Sequence, residues 1–302
     1  MNNSIDKYRF FRNKSYARFD IPLAGMTGFR TGGPADLVLY PEDISRLNEI
    51  IHILNDNDIP FFVLGKGSNV IAPDDGYRGA VICLDKGFGT IKVENDTIIA
   101  GAGVGLVSLC EAALDNCLSG LEFAFGIPGS VGGAVFMNAG AYGGEIKDIV
   151  SFVKCLNTKT GEICLISNRK CDFSYRSSRF SNHSEYIILE AVFKLTNRPK
   201  EEIRTEMDDY INRRKTKQPL EFPSCGSTFK RPEGAYASAL IDQCGLKGFS
   251  VGGAKISEKH AGFVINYNNA TSGDIIELIN KVQDVVKQKT GYDLLPEVIF
   301  LK

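Results

Sequence analysis

The residues of this chain that are best suited to chemistry lie in a glycine-rich segment, residues 120–144, with the sequence GLEFAFGIPGSVGGAVFMNAGAYGG. Eight glycines in 25 residues favour positive φ angles and close approach of the backbone to a ligand. A second glycine-rich turn, Gly65-Lys66-Gly67-Ser68-Asn69, follows the apolar run Phe61–Leu64. Backbone N–H groups in such turns bind phosphate oxygens. The two segments predict two backbone cradles for one large phosphate-bearing ligand, most simply a dinucleotide.

The turn at residues 65–69 differs from the common phosphate-binding fingerprints. Val70 stands where G-x-G-x-x-G requires its third glycine, and the pattern G-x-x-x-x-G-K-[ST] does not occur in the chain. A tight β-turn without a ligand is the alternative interpretation. Its combination with the glycine-rich segment favours a pyrophosphate site made of glycine nests and small polar groups. The candidate ligand-binding residues in that segment are Gly126, Ile127, Pro128, Gly129, Ser130, Gly132 and Asn138.

Side chains that could act on an anionic substrate lie in three further stretches. Residues 175–180, YRSSRF, are rich in anion donors, and a surface loop is the alternative. Residues 213–232 form a basic cluster around Ser227 that would suit a diphosphate beside a hydroxyl, although a solvated basic face has the same composition. Glu297 lies in the apolar run 294–300, where a half-buried carboxyl group could act as an acid or a hydrogen-bond donor. Period-2 alternation also allows Glu297 to face water.

Composition excludes several classes of protein. The net charge of −1 gives no electrostatic case for binding nucleic acid or a membrane, and nothing in the sequence implies an obligate protein partner. The first residues lack the apolar core of a signal peptide, and no run approaches the roughly 20 apolar residues of a membrane span, so we expect a cytoplasmic protein. Eight dispersed cysteines without a C-x-x-C pair, and only three histidines, predict no metal site and mostly buried, reduced thiols.

Hydrophobic periodicity and turn residues predict an α+β chain in which helices and strands alternate. We expect helices near 41–54, 105–118, 200–216 and 272–289, the last with Thr271 as its N-cap and Gly291 just past its end. The predicted strands cover about 36–40, 61–64, 80–84, 90–94, 97–101, 149–156, 162–167, 186–195 and 262–266. The change of rhythm after residues 197–200 predicts a separate C-terminal part.

Seven of these stretches, in this order, resemble one family, UDP-N-acetylenolpyruvoylglucosamine reductase, a flavoenzyme of bacterial peptidoglycan synthesis. The resemblance runs from about residue 24 to 301. It rests on TGFRTGGPAD (27–36), LGKGSNVI (64–71), residues 120–144, YRSSRF (175–180), CGSTFKRP (225–232), GGAKISEKHAGFVIN (252–266) and LPEV (295–298). The short spacing between Arg176 and the basic loop is similar to the family's second type, which lacks an extra tyrosine-bearing loop.

The resemblance implies a fold, a set of domains and a reaction. The fold would be α+β, with a two-part FAD-binding unit of the vanillyl-alcohol-oxidase type at residues 1–88 and 89–198, followed by a substrate-binding domain at residues 199–302. FAD would be bound non-covalently, and NADPH would be the co-substrate. The substrate would be UDP-N-acetylglucosamine enolpyruvate, which takes a hydride from N5 of the flavin to give UDP-N-acetylmuramate.

The resemblance also implies roles for five side chains. Ser227 would donate the proton to the substrate, and Arg176 and Glu297 would stabilise the enolate. Lys217 and Arg231 match positions that contact the substrate diphosphate. The sequence departs from the family pattern at Gly262, where we expect asparagine, and at Thr27-Gly28, which puts only local contacts in doubt.

Three other functions remain open at the level of sequence. A flavin oxidase of the same fold would oxidise an alcohol or a sugar with oxygen. A sensor that binds nucleotide sugars would keep the fold without catalysis, although it would have no use for a proton donor such as Ser227. An α+β protein with glycine-rich turns and no flavin is the simplest alternative.

Overall fold

The structure, a computed structural model, describes residues 7–301 and mixes helices with strands throughout. Its helices are α1 (Ile44–Asp56), α2 (Leu106–Asp115), α3 (Val131–Phe136), α4 (Arg179–Asn182), α5 (Lys200–Lys217), α6 (Ala237–Gln243) and α7 (Ser272–Thr290). Its strands are β1 (Ala17–Pro22), β2 (Pro34–Leu39), β3 (Phe61–Leu64), β4 (Val70–Ile71), β5 (Tyr77–Cys83), β6 (Ile91–Glu94), β7 (Thr97–Gly101), β8 (Leu118–Ser119), β9 (Gly140–Ala141), β10 (Gly144–Glu145), β11 (Val150–Asn157), β12 (Ile163–Ser167), β13 (Tyr186–Lys194), β14 (Thr196–Asn197), β15 (Ser250–Val251), β16 (Ala254–Ile256), β17 (Val264–Asn266) and β18 (Ile299–Phe300).

The described chain divides into two compact units. The first unit holds residues 7–19, 37–66 and 79–212, and the second holds residues 20–36, 67–78 and 213–301. The division falls between Lys66 and Gly67 and between Asn212 and Arg213. The predicted three-domain division at residues 88 and 198 stays a prediction.

The first unit is built around a five-stranded antiparallel sheet in the order β12-β11-β13-β7-β6. Helix α1 begins after Asp43, whose side chain accepts a hydrogen bond from the Arg46 N–H group at 2.7 Å, as is usual for an N-cap. It buries an apolar stripe at helical spacing, with Leu47, Ile50, Ile51 and Leu54. Strand β3 pairs in parallel with β5. The glycine turn begins directly after the last residue of β3.

The second unit packs helix α7 over small strands. Strands β15, β16 and β17 form an antiparallel sheet, and β18 pairs in parallel with β4. Helix α7 buries Ile275, Leu278, Ile279, Val282 and Val286. Strand β4 follows the glycine turn, and β18 follows Glu297. The pairing of these two strands therefore fixes the glycine turn next to the segment that carries Glu297.

The predicted elements are confirmed where the hydrophobic pattern is long and regular. Strands 61–64 and 97–101 have the predicted bounds, and helix α7 has Thr271 as its N-cap and Gly291 after its last residue. The pattern missed β1 and the short helices α3, α4 and α6. Four to seven residues give too few helical repeats to be recognised, and α3 begins inside the glycine-rich segment.

Three general properties complete the description. Among residues 7–301, no helix is long and apolar enough to cross a membrane. In the same range, no group of three or more His, Cys, Asp or Glu side chains could hold a metal ion. All eight cysteines are free thiols, six of them buried.

The N-cap of α7 is a testable source of stability. The Thr271 hydroxyl accepts a hydrogen bond from the Asp274 N–H group at 3.0 Å, and the Asp274 carboxylate accepts one from the Thr271 N–H group at 3.0 Å. We expect Thr271→Ala to lower the free energy of unfolding by about 1 kcal/mol, because an N–H group loses its partner. Thr271→Ser, which keeps the hydroxyl, is the control in denaturant unfolding. Equal losses in the two variants would contradict this account.

Candidate functional site

Arg176 lies in a tight turn of the first unit. The turn runs from Ser174 to Ser177, which exchange backbone hydrogen bonds of 3.0 and 3.2 Å. Arg176 has a φ of 53°, a left-handed conformation that is unusual for a side chain of this size. Its guanidinium donates a hydrogen bond to the Gly140 carbonyl at 3.0 Å. Arg176 is therefore held against the glycine-rich segment.

The side chain of Asn138, which is fully buried, forms hydrogen bonds that support the Arg176 turn. The Asn138 amide N–H group donates hydrogen bonds to the Ser174 carbonyl and to the Glu145 carboxylate, both at 3.0 Å. The Asn138 side-chain oxygen accepts from the Lys147 N–H group at 2.9 Å. Three of the roughly four hydrogen bonds that the side chain of this predicted cofactor-binding residue can form are thus made within the protein.

Glu145 and Lys147 are charged residues near the Arg176 turn that the sequence did not indicate. Its carboxylate lies 2.6 Å from the Lys147 ammonium. Partial burial would raise the pKa of Glu145, but hydrogen bonds from Lys147 and Asn138 and the charges of Lys147 and Arg176 outweigh it, so the pKa is lowered. Glu145 is therefore a carboxylate at neutral pH. Its position next to a glycine and before a short turn gave no sequence signal.

The first unit also brings together two predicted cofactor-binding stretches. Ser130 caps α3 by accepting a hydrogen bond from the Gly133 N–H group at 3.3 Å. A Cβ atom on Gly65 would lie 2.5 Å from the Ser130 hydroxyl oxygen, and one on Gly132 would lie 3.0 Å from the Ala102 Cβ atom. Gly126, Ile127, Pro128 and Gly129 lead into α3, and Lys66 is exposed beside Gly65. Backbone is thus exposed to close approach where the sequence predicts a pyrophosphate.

The remaining residues of the glycine turn belong to the second unit. Gly67 has a φ of 61°, and a Cβ atom there would collide with the Met26 carbonyl oxygen. The Gly67 carbonyl accepts a hydrogen bond from the Gly28 N–H group at 2.9 Å. Ser68 is half-buried, and the Asn69 amide donates to the Glu297 carbonyl at 3.0 Å. The turn is therefore tied to the segment that carries Glu297.

Ser227 and Glu297 lie on two facing backbone segments of the second unit. The Glu297 N–H group donates to the Thr228 carbonyl, and the Lys230 N–H group donates to the Leu295 carbonyl, both at 2.8 Å. An isolated β-bridge joins Phe229 to Pro296. Ser227 is exposed, and Glu297 is partly exposed. Two of the three predicted catalytic residues are thus neighbours in space although 70 positions separate them.

The two predicted diphosphate contacts and His260 lie elsewhere in the second unit. Lys217 is the exposed last residue of α5. Arg231 is exposed, and its guanidinium lies 4.4 Å from the centre of the Tyr236 ring, a cation–π contact. His260 accepts a hydrogen bond from the Gly262 N–H group at 3.1 Å, and burial lowers its pKa, which suits a structural role.

Comparison with known proteins gives the class first. Residues 35–167 match an FAD binding domain, and residues 218–301 match the C-terminal domain of UDP-N-acetylenolpyruvoylglucosamine reductase. The chain is an FAD-dependent oxidoreductase, and the predicted fold class is confirmed: an α+β FAD-binding part followed by a C-terminal α+β domain.

Full-length relatives give the family. The chain is 48% identical over 296 residues to UDP-N-acetylenolpyruvoylglucosamine reductase of Clostridium botulinum (strain 657 / Type Ba4), which covers 98% of this chain and 96% of the relative. It is 45% identical to the enzyme of that name from Caldanaerobacter subterraneus subsp. tengcongensis, over 97% of this chain and 96% of the relative. A crystal structure of the reductase from Thermus caldophilus has a TM-score of 0.82 and 34% identity, with 95% of this chain and 100% of that chain covered. This chain belongs to the UDP-N-acetylenolpyruvoylglucosamine reductase family.

The residues present fit FAD. Gly65 and Gly132 lie where a side chain would crowd Ser130 and Ala102, and small hydroxyl and amide groups flank them. Such glycine nests bind a pyrophosphate through backbone N–H groups. The matched FAD binding domain includes both stretches.

Gly67 provides a test of the cradle in the protein itself. We expect Gly67→Ala to lower the melting temperature and to weaken FAD binding, because it adds a collision with the Met26 carbonyl to the cost of a left-handed residue. Gly245→Ala is a matched control, because Gly245 has a φ of 75° with open space around it. Thermal unfolding and titration of the apoprotein with FAD would measure both effects. Equal losses in the two variants would contradict the importance of close approach.

Proposed function

We propose that this protein reduces UDP-N-acetylglucosamine enolpyruvate to UDP-N-acetylmuramate, with NADPH as the electron donor, in cytoplasmic synthesis of peptidoglycan precursors. The observation that carries the proposal is the backbone pairing of residues 228–230 with 295–297, joined by Asn69 to the glycine turn. A hydroxyl group and a carboxyl group thereby flank a predicted cofactor cradle. The names of the full-length relatives support the same substrate.

The reaction requires an electron sink and a proton donor. FAD, held by the glycine cradles, would supply the hydride chemistry that links NADPH to the substrate. An enolpyruvyl ether is an electron-rich alkene, so hydride addition at its methylene carbon requires the substrate carboxylate to withdraw charge. Arg176 suits this task, because a guanidinium is permanently charged and planar. Glu297, in its protonated form, would donate a hydrogen bond to the same carboxylate.

Ser227 would protonate the carbon next to the substrate carboxylate. A serine hydroxyl is a weak acid, so this role needs a neighbour or a water relay. Ser227 follows Gly226, whose φ is 72°, and precedes Thr228, whose hydroxyl accepts a hydrogen bond from the Val264 N–H group at 3.1 Å. The left-handed Gly226 and the buried Thr228 thus fix the backbone on either side of Ser227, whose side chain is exposed.

The glycine cradles, with Lys66, Ser68 and Ser130, would hold FAD non-covalently. Lys217 would bind the substrate diphosphate as a point charge, and Arg231 would bind it through the planar fork of its N–H donors. An anaerobic experiment tests the whole proposal. The flavin absorbance of the holoenzyme should bleach with NADPH and return when UDP-N-acetylglucosamine enolpyruvate is added. A flavin that reoxidises with oxygen and not with this substrate would indicate an oxidase instead. A flavin that neither substrate nor oxygen reoxidises would indicate a sensor.

Replacement of Ser227 should separate the two half-reactions. We expect Ser227→Ala to leave reduction of the flavin by NADPH unchanged and to slow its reoxidation by substrate roughly 10²–10⁴-fold, the usual loss for a positioned proton donor. Ser250→Ala, at an exposed serine of the same unit, is the control. Stopped-flow absorbance measures both rates, and equal slowing of both would contradict the role.

Replacement of Arg231 should act on binding. We expect Arg231→Ala to raise the KM for the sugar nucleotide more than it lowers kcat, because a contact far from the reacting carbon stabilises the ground state and the transition state alike. Arg204→Ala, at an exposed arginine of α5, is the control in steady-state kinetics. A change in kcat alone would contradict the assignment.

A further inference from the structure

The Asn138 side chain contacts three segments of the chain around the Arg176 turn. Its amide nitrogen donates to the Ser174 carbonyl, at the start of the Arg176 turn, and to Glu145. Its amide oxygen accepts from the Lys147 N–H group, which fixes the chain just after Glu145. A buried amide can form about four hydrogen bonds, and three of them are used here on three different segments.

The backbone around these groups is strained in a way that needs such support. Arg176 has a φ of 53°, and Asn138 has a φ of 45°. A left-handed conformation is costly for an ordinary side chain, while asparagine tolerates it better. Without its hydrogen bond from Asn138, the Ser174 carbonyl would be left without that partner beside a strained turn. The turn could then relax, and the direction of the guanidinium would change.

We propose that Asn138 is a positioning residue for Arg176: its amide joins the Ser174–Ser177 turn, the Glu145 carboxylate and the Lys147 backbone, and so fixes where the guanidinium points. This inference rests on the proposed role of Arg176 in the reaction. Asn138 would affect the reaction only by positioning Arg176, and its side chain would not contact the cofactor or the substrate.

The choice of variant separates the amide from the backbone. Asn138→Gly removes all three side-chain hydrogen bonds and keeps easy access to a positive φ. Asn138→Asp keeps the shape and places a second oxygen against the Ser174 carbonyl and the Glu145 carboxylate, where only a donor fits. Asn55→Ala is the matched control, because it removes a hydrogen bond of 2.8 Å from an asparagine amide to the Thr158 carbonyl in the same unit.

The decisive experiment is a double-mutant cycle on the holoenzyme. Asn138→Gly, Arg176→Ala and the double variant are compared for reduction by NADPH, reoxidation by UDP-N-acetylglucosamine enolpyruvate, and FAD affinity of the apoprotein. We expect Asn138→Gly to slow reoxidation about 10- to 100-fold, by analogy with the loss of buried hydrogen bonds. FAD affinity and reduction by NADPH should match those of Asn55→Ala. In the Arg176→Ala background, Asn138→Gly should have almost no further effect on reoxidation, because residues that act as a unit are not additive.

Asn138→Asp gives an independent readout if the glycine variant folds poorly. Burial and the charge of Glu145 favour the neutral form of the new carboxyl group, and that form can donate one of the two lost hydrogen bonds. Its reoxidation rate relative to wild type should therefore rise as the pH falls, which a purely structural defect would not produce.

Four outcomes would overturn the inference. Equal slowing of both half-reactions, or an additive effect in the Arg176→Ala background, would show that Asn138 acts on stability or independently of Arg176, with the proposed function intact. A flat pH profile for Asn138→Asp at a reduced rate would also contradict it. An Arg176→Ala variant that reoxidises at the wild-type rate would overturn the proposed role of Arg176 and this inference together.

Discussion

Close backbone approach at Gly67 is the constraint on which the candidate site of the second unit depends. The collision that a Cβ atom would make with the Met26 carbonyl, and the hydrogen bond from Gly28 to Gly67, leave no room for another residue. From this turn the Asn69 side chain reaches the Glu297 carbonyl, and the Asn69 carbonyl accepts from the Ile299 N–H group at 2.9 Å. The cradle and the carboxyl segment therefore share one framework of hydrogen bonds, made by the main chain and by the Asn69 side chain.

The first unit fixes its partly exposed charged group, Arg176, in a different way. Arg176 sits in a left-handed turn whose conformation is costly for arginine, and the cost is offset by a buried amide instead of by a glycine. The conformation of this turn depends on the hydrogen bonds that Asn138 and Gly140 make with it. The residue proposed to stabilise the enolate therefore also carries local backbone strain, a combination that is common at catalytic sites.

The sequence predicted the regular elements and the types of the site residues, and it failed on their supporting contacts. Helix α7 was predictable because a capping residue, a 3.6-residue apolar period and a terminal glycine all agree. The ordered motifs gave the family, and through it Arg176, Ser227 and Glu297. Nothing in the pattern placed residues 228–230 against 295–297, because pairing between distant segments has no local signal. Glu145 and the partners of Asn138 were invisible for the same reason, since a buried hydrogen bond depends on where the chain folds back.

Charge balance around Arg176 gives a further reason for its arrangement. The Glu145 carboxylate lies 2.6 Å from the Lys147 ammonium group, and the charge of Arg176 also lowers its pKa. Glu145 therefore remains ionised at neutral pH. Two positive groups face two carboxylates in this cluster, because the Asp148 carboxylate accepts a hydrogen bond from the Glu145 N–H group and also acts on Lys147. A carboxylate beside an arginine would otherwise compete with an anionic substrate for the guanidinium. Because Lys147 and Asn138 already bind Glu145, much of its negative charge is compensated locally, and Arg176 would keep the positive potential that its proposed role requires.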